Sequence, residues 1–445
     1  MPTTLVLFTR DLRVRDNPAL AAAARRGDIV PLFVLDEVLL SGRSGTPNRI
    51  AFLLDSLHDL DRSLRERGAK LLIRRGDPVE EALEVAHRAG VDSIHIAEDV
   101  SGYAHRRQAR LERACDEAGI ALRAFSGITV VPPGELVPIG GDHYRVFTPY
   151  WRMWRSRARP RVLAGPRVLR MPSGLPTGRI PAHGRLARSD PAVGLPAGGE
   201  SAARKRLESW LRAGGLSDYG RDEALEPPPG SRLSPYLHFG CISPGELFDR
   251  VSGHPGGESF LRQLCWRDFH HQVLAARPDL PYRDYRRGRR RWRKDPGLLD
   301  AWRSGRTGIP IVDAGMRQLE AEGLMANRAR LIVGSFLAKT LGLDWREGAA
   351  HFERLLVDAD LANNVGNWQW VAGTGNDTRP NRVLNPLRQA RRFDPDGVYV
   401  RRHVPELARI EGRAIHEPWC LDADQRRELD YPDPVIDPDG LGART

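Results

Sequence analysis

Two carboxylates, three asparagines and two tryptophans crowd into one stretch of the chain: Asp358, Asp360, Asn363, Asn364, Asn367, Trp368 and Trp370. An apolar core has no use for so many polar groups, and a solvated loop has no use for neighbouring tryptophans. The mixture suits a polar, planar, aromatic guest. A second constellation lies between Leu261 and Leu274, where a helical step of about 100° puts Leu261, Leu264 and Cys265 on one face and Gln263, Trp266, Arg267 and His270 on the other. An amide, an indole, a guanidinium and an imidazole in one stripe form either a solvated surface or the wall of a polar site, and the tryptophan, where a surface would carry lysine or glutamate, favours the wall. A third is Gly230-Ser-Arg-Leu-Ser-Pro-Tyr236, whose two hydroxyls, guanidinium and backbone amides ahead of a helix make a phosphate cradle. Arg221 and Arg232 add basic groups just upstream of the second constellation, and Asn327, Arg330 and Leu331 share a helix face from which Arg330 can pair with Asp358 or Asp360.

The elements that must position these residues differ between the two halves of the chain. Up to about residue 126, short apolar strands (Leu5 to Phe8, Ile29 to Leu35, Lys70 to Arg74, Ser93 to Ala97, Ile120 to Phe125) alternate with amphipathic helices opened at Asn17-Pro18, Pro47 and Asp77-Pro78. That alternation implies a parallel, doubly wound sheet, which takes ligands at the carboxyl ends of its strands. No GxGxxG follows the first strand and no GxxxxGK[ST] occurs, so an ordinary dinucleotide or phosphate loop is not expected, and Gly373-Thr374-Gly375 lacks the strand-turn-helix setting. Residues 127–200, rich in proline, glycine and arginine, read as a long connection. The segments 201–213, 243–252, 258–276, 310–322, 326–341 and 345–357 then repeat with helical period, giving an all-helical second domain over 201–420 and a short tail over 421–445.

The net charge of +11 makes an acidic partner such as nucleic acid plausible, but only four of the 68 basic residues are lysine, a skew that GC-rich codons also produce. The run Arg283 to Lys294, interleaved with Tyr285 and Trp292, suits DNA better than the overall balance does. The four cysteines form no CxxC pair, no metal is expected, and neither a signal peptide nor an apolar run of about 20 residues is present, so a cytoplasmic protein with reduced thiols is expected.

These segments together closely resemble the photolyase/cryptochrome family, and most of all its cyclobutane pyrimidine dimer photolyases of class I. The motifs run in order through Leu5-Val-Leu-Phe-Thr-Arg-Asp-Leu-Arg-Val-Arg-Asp-Asn-Pro18, Ser231 to Tyr236, Trp266-Arg-Asp-Phe269, Gly308 to Arg317, Asp344-Trp-Arg-Glu-Gly348, Asn363 to Trp370 and His416-Glu-Pro-Trp419. The resemblance implies an α/β antenna domain (1–126) and a helical domain holding FAD, whose reduced form is the active one. Ser231, Arg232, Leu233 and Ser234 would hold the pyrophosphate with Tyr219 nearby, Phe260 would pack near the adenine, and Gln263, Arg267, Asn327, Arg330, Asp358, Asp360 and Asn364 would surround the cofactor. Asn364 matches the residue facing flavin N5. Trp292, Trp345 and Trp368 match a chain of electron-carrying tryptophans, whereas Trp302 reads as core.

The resemblance further implies UV-damaged DNA as partner, with Trp266 and Trp370 packing on the flipped lesion. Gln263, Arg267 and Asn327 would border that lesion, while Arg221, Arg328, Arg382 and Gln389 would join Arg267 in contacting DNA, mostly at the backbone and without sequence preference. A monomer and a second chromophore, deazaflavin or methenyltetrahydrofolate, are expected, the latter chosen by loops such as Phe33 to Arg49. Three positions depart from the dimer photolyases: Gln263 replaces a glutamate, Leu331 a methionine and Gly230 a threonine. Asn327 stands where (6-4) photolyases have histidine. The expected activity is light-driven dimer repair, and the rival is a cryptochrome-like photoreceptor using the same flavin and tryptophans.

Overall fold

The computed structural model describes residues 2–438 apart from 158, 221–224, 226–229, 287, 289, 290 and 377. Five strands, β1 (Thr3–Phe8), β2 (Asp28–Asp36), β3 (Leu72–Gly76), β4 (Ser93–Ala97) and β5 (Ala121–Phe125), form one parallel sheet in the order β3-β2-β1-β4-β5. Strands β1 and β4 are buried along their whole length, including Ser93 and His95, because helices cover both faces, as parallel crossovers require. Helix starts follow the local chemistry: Asn17 accepts from Leu20 N at 3.0 Å ahead of Pro18, and Asp77 from Val79 N at 2.8 Å ahead of Pro78. Each such cap is worth about 1 kcal/mol.

One sheet face, with Leu5, Leu7, Val30, Leu32 and Val34, closes a small core against the helices Pro78–Ala89 and Gly102–Ala118. The other, with Val6, Phe8, Ile29, Phe33 and Leu35, opens into a core that continues through Trp210, Phe260 and Trp302 to Ile415. Apolar packing is therefore continuous across the two halves and does not divide at the connection. That connection is also more ordered than its composition implies: Phe147–Ser156 is a helix that buries Phe147, Tyr150, Trp151 and Trp154, spaced i, i+3, i+4 and i+7. Its Trp154 Nε1 donates at 2.8 Å to Asp268 Oδ2, which also accepts Val130 N and Val131 N at 2.9 Å.

Helices dominate from Glu200 onward. The two that matter most, Gly257–Ala276 and Leu361–Ala372, touch where a Cβ on Gly366 would come within 2.1 Å of His270 Nδ1. A Cβ on Gly348, in the helix Trp345–Leu355, would come within 2.2 Å of the Trp368 ring. Only glycine permits these approaches. The helix expected over 326–341 is regular over Asn327–Ser335 and widens into a π-turn over Phe336–Thr340, and the helix Pro296–Arg303 was not anticipated. Among the described residues no helix is long and apolar enough to cross a membrane.

Candidate active site

In a sheet of this order the connections reverse between β1 and β4, and the crevice at their carboxyl ends is the usual ligand position. Here Arg10, just after β1, and Asp99, just after β4, meet in that crevice at 3.2 Å. Arg10 also donates through Nε to His238 O at 3.1 Å and through Nη2 to Asp360 Oδ2 at 2.5 Å. The switch point thus receives a carboxylate from the helical half. Asp360 opens the helix Leu361–Ala372, its Oδ1 accepting Asn363 N at 3.0 Å and Asn363 Nδ2 at 2.8 Å, while His271 Nε2 stands 3.4 Å from Oδ2. Burial alone would raise the Asp360 pKa, but His271, Arg10 and Arg267 outweigh it and hold the carboxyl well below the usual carboxylate range. Burial, reinforced by Arg10, keeps the His238 imidazole well below its ordinary pKa, and burial brings His270 down to about 4.

Asp360 lies on the wall of a cavity of about 310 Å³, a volume typical of small-molecule sites. Its lining joins Gly230, Ser231, Arg232, Leu233 and Ser234, with Tyr219 and Phe260, to Gln263, Arg267, Asn327, Arg330, Asp358, Asp360 and Asn363. The cradle is built on unusual backbone: Arg232 has φ +56° and Gly230 φ +95°. The latter explains why glycine occupies a position where threonine was the expectation. Ser231 Oγ accepts Leu233 N at 3.3 Å, Arg206 Nε donates to Ser231 O at 2.7 Å, and Arg232 pairs with Glu322 at 3.0 Å. Tyr219 and Phe260 meet edge to face at 5.2 Å. Arg330 chooses Asp358, donating to its two oxygens at 3.0 and 2.9 Å.

A side pocket of about 70 Å³ shares Asn327, Arg330, Asp358 and Asn363 with the cavity and adds Leu331, Asn364 and Trp368. Asn364 Nδ2 donates to Ala349 O at 3.0 Å. Arg267 is 8% exposed; its Nη1 donates to Ile128 O, while its buried Nη2 has no protein partner. A buried guanidinium N–H that wants an acceptor, a hydroxyl-bearing turn, two rings and two fixed carboxylates fit a ligand with phosphates and planar rings.

The three tryptophans picked from the sequence are graded in burial. Trp368 and Trp345 are buried and Trp292 is partly exposed. Trp368 packs on Gly348, one turn beyond Trp345, and the bridge Arg293↔Leu343 runs the chain after Trp292 beside the segment leading into Trp345. Trp302 is core, as expected, its Nε1 donating to Val333 O at 2.9 Å.

Trp266 and Trp370 are half-buried and stand on the two helices that touch at His270 and Gly366, but neither lines the 310 Å³ cavity. Trp266 stacks on Phe147 with centroids 3.7 Å apart and planes 2° apart. Arg382 is exposed, 5.7 Å above the Trp370 ring, Arg328 lies 4.3 Å over Phe393, and Gln389 is half-buried. Arg221 lies outside the described residues. Sequence reasoning missed Arg10, whose partner is 350 positions away, and Phe147, whose helical stripe was legible.

Comparison with known proteins agrees with this arrangement. Residues 4–168 match the model of the DNA photolyase domain and residues 260–444 that of the FAD binding domain of DNA photolyase. The chain is 52% identical over 98% of its length to a deoxyribodipyrimidine photo-lyase of Streptomyces griseus, 97% of which is covered. It is 36% identical over 99% of its length to a cryptochrome DASH of Natronomonas pharaonis, 99% of which is covered. The crystal structure of a bacterial class III photolyase from Agrobacterium tumefaciens superposes with a TM-score of 0.92 at 32% identity, covering 99% of this chain and 95% of that one. With both halves matched in order and the whole length aligned, the chain belongs to the DNA photolyase/cryptochrome family.

Proposed function

We propose that this protein is a deoxyribodipyrimidine photo-lyase that repairs cyclobutane pyrimidine dimers in DNA under light, with FAD in the 310 Å³ cavity. The observation that carries the reading is the joining, in one cavity, of the Ser231 to Ser234 turn with the Arg330–Asp358 pair and Asp360, beside a side pocket lined by both Asn364 and Trp368. Ser231, Arg232, Leu233 and Ser234 hold the pyrophosphate, Tyr219 and Phe260 flank the adenine side, and Asp358, Asp360, Asn364 and Arg267 orient the ring system. When bound and reduced, FAD would supply the light-driven one-electron chemistry that opens the dimer's ring. Gln263, exposed on the cavity wall, offers the lesion an amide that both donates and accepts. Asn327 faces the same space. Trp266 and Trp370 supply ring faces to the flipped lesion, and stacking of about 1–3 kcal/mol per base helps offset the unstacking cost. Arg328 and Arg382, with Arg221 and Gln389, hold the DNA backbone.

In this reading residues 1–126 form the antenna domain and 201–420 the flavin domain. Tyr103 donates to Asp36 in the Phe33 to Arg49 segment, tying it to the helix whose His105, Gln108 and Glu112 line a second cavity of about 390 Å³ at the carboxyl end of β4. That cavity supports an antenna chromophore, deazaflavin or methenyltetrahydrofolate, in the α/β half.

The experiment is illumination of the reduced protein with dimer-containing DNA, where loss of dimers is expected. Absence of splitting, with FAD bound and photoreducible, would favour the photoreceptor reading that Gln263 and the cryptochrome DASH relative support.

A further inference from the structure

Two of the three tryptophans are fully enclosed, yet their indole nitrogens meet opposite surroundings. Trp368 is packed among Phe352, Trp302 and Gly348, and its Nε1 has no partner. Trp345 donates its Nε1–H to Asp284 Oδ1 at 2.9 Å. The same oxygen accepts Arg346 Nη2 at 2.8 Å, and the Arg346 guanidinium lies 4.7 Å from the Trp345 ring centroid. Asp344, which caps the helix Trp345–Leu355, holds Arg346 Nη1 at 3.0 Å. Two carboxylates and one guanidinium therefore stand around the Trp345 indole N–H, whereas the Trp368 ring meets Phe352, Trp302 and Gly348.

An indole that loses an electron becomes a cation, and its N–H becomes a much stronger donor. Beside Asp284 the existing hydrogen bond turns into an ion pair, the strong kind of hydrogen bond. Trp368 Nε1 has no such acceptor, so its N–H makes no ion pair of this kind when the ring is oxidised. Arg346 works in the opposite sense, because a guanidinium over the ring is attracted to its electron-rich face and repelled by a positive charge there.

We propose that Asp284 is a positioning residue that makes Trp345 a better electron donor than Trp368 and so moves the oxidised site outward. This rests on reading Trp368, Trp345 and Trp292 as an electron chain. Trp368 gives one electron to photoexcited, oxidised flavin. Trp345 gives one electron to oxidised Trp368, which returns to neutral, and the positive charge now sits on Trp345 with its N–H still bound to Asp284. Trp292 refills Trp345 in the same way, and an added thiol is the final donor. No proton leaves Trp345 in the step.

The test is flash spectroscopy of tryptophan radicals in the FAD-loaded, oxidised protein, with Asp284→Asn, Arg346→Gln and Trp345→Phe beside the parent. Asparagine keeps an acceptor for the indole N–H and removes only the charge. Asp284→Asn should lower the yield of long-lived radical about tenfold, the factor equivalent to about 1.4 kcal/mol, and Arg346→Gln should raise it. Restoration of the parental yield by Asp284→Glu would add support. A parental yield in Asp284→Asn, with Trp345→Phe blocked, would overturn the role of Asp284 and spare the chain. An equal fall in Asp284→Asn and Arg346→Gln would reduce both to local packing and also overturn it. An unaffected Trp345→Phe would remove the electron chain itself and this proposal with it.

Discussion

The helices Gly257–Ala276 and Leu361–Ala372 border two regions that are held in opposite ways. On the cavity side every carboxylate oxygen has a donor: Asp358 faces Arg330 with both, and Asp360 divides itself between Asn363 and Arg10. On the side of Trp266 and Trp370 order comes from stacking, with Phe147 flat against Trp266 and the exposed Arg382 over Trp370. A permanently bound cofactor suits the first arrangement, since fixed charges need no rearrangement when it is present. A guest that arrives and leaves with DNA suits the second, whose rings and guanidiniums stay partly open. Removing one partner should therefore cost far more on the cavity side.

The sharpest way to break that contrast is Arg10→Ala. It removes the cation that Asp360 and Asp99 share, which comes from the loop after β1, and leaves Asp360 only His271 and Arg267 as positive neighbours. Loss of one member of a buried pair costs about 3–5 kcal/mol, so denaturant unfolding should show a fall of that order. A change below about 1 kcal/mol would mean that the pair is solvated, as surface pairs are. The pH dependence has a definite sign. Because the folded-state pKa of Asp360 is depressed, its contribution is complete above the unfolded value of about 3.9 and fades as pH falls through the folded value. Acid titration of the parent should therefore lose stability as the pH drops below about 4, and Arg10→Ala, whose Asp360 has less to lose, should show a flatter acid limb.

This contrast was only partly legible in the sequence, for physical reasons. The strands were readable because a buried parallel strand carries an apolar run, as Leu5 to Phe8 in β1 and Ile29 to Leu35 in β2 do. The cavity residues could be grouped because spacing on one helix decides which side chains share a face, as for Gln263 and Arg267. Spacing says nothing about partners from distant segments. Arg330 pairs with Asp358 while Arg10, 350 positions from its partner, pairs with Asp360, and only the fold reveals that division. The helix Phe147–Ser156 escaped for a different reason: Pro149 and the flanking arginines obscured a stripe of four buried aromatics that was present in the chain.

On the stacked side the largest expected effect belongs to Phe147→Leu, which keeps most of the apolar bulk and removes the parallel ring. An aromatic pair contributes about 0.5–1.5 kcal/mol beyond its area. Affinity for dimer-containing DNA should therefore fall by roughly two- to tenfold, because Trp266 loses the ring that fixes its plane, while affinity for undamaged DNA stays the same. Equal losses on both DNAs would show that Phe147 supports the fold or the backbone contacts instead.

Arg382→Ala should have the smallest effect and a different signature. An exposed arginine at a phosphate acts through counterion release, so each contact adds about 0.9 to the slope of log affinity against log salt on duplex DNA. Removing Arg382 should lower that slope by about one unit and weaken damaged and undamaged DNA alike, since a backbone contact carries no information about the base. Its position 5.7 Å above Trp370 offers the competing outcome. If the guanidinium chiefly steadies that ring, the salt slope will stay unchanged and only dimer-containing DNA will bind less well, so the slope measured on both DNAs decides whether Arg382 belongs to the electrostatic footprint or to the stacked wall.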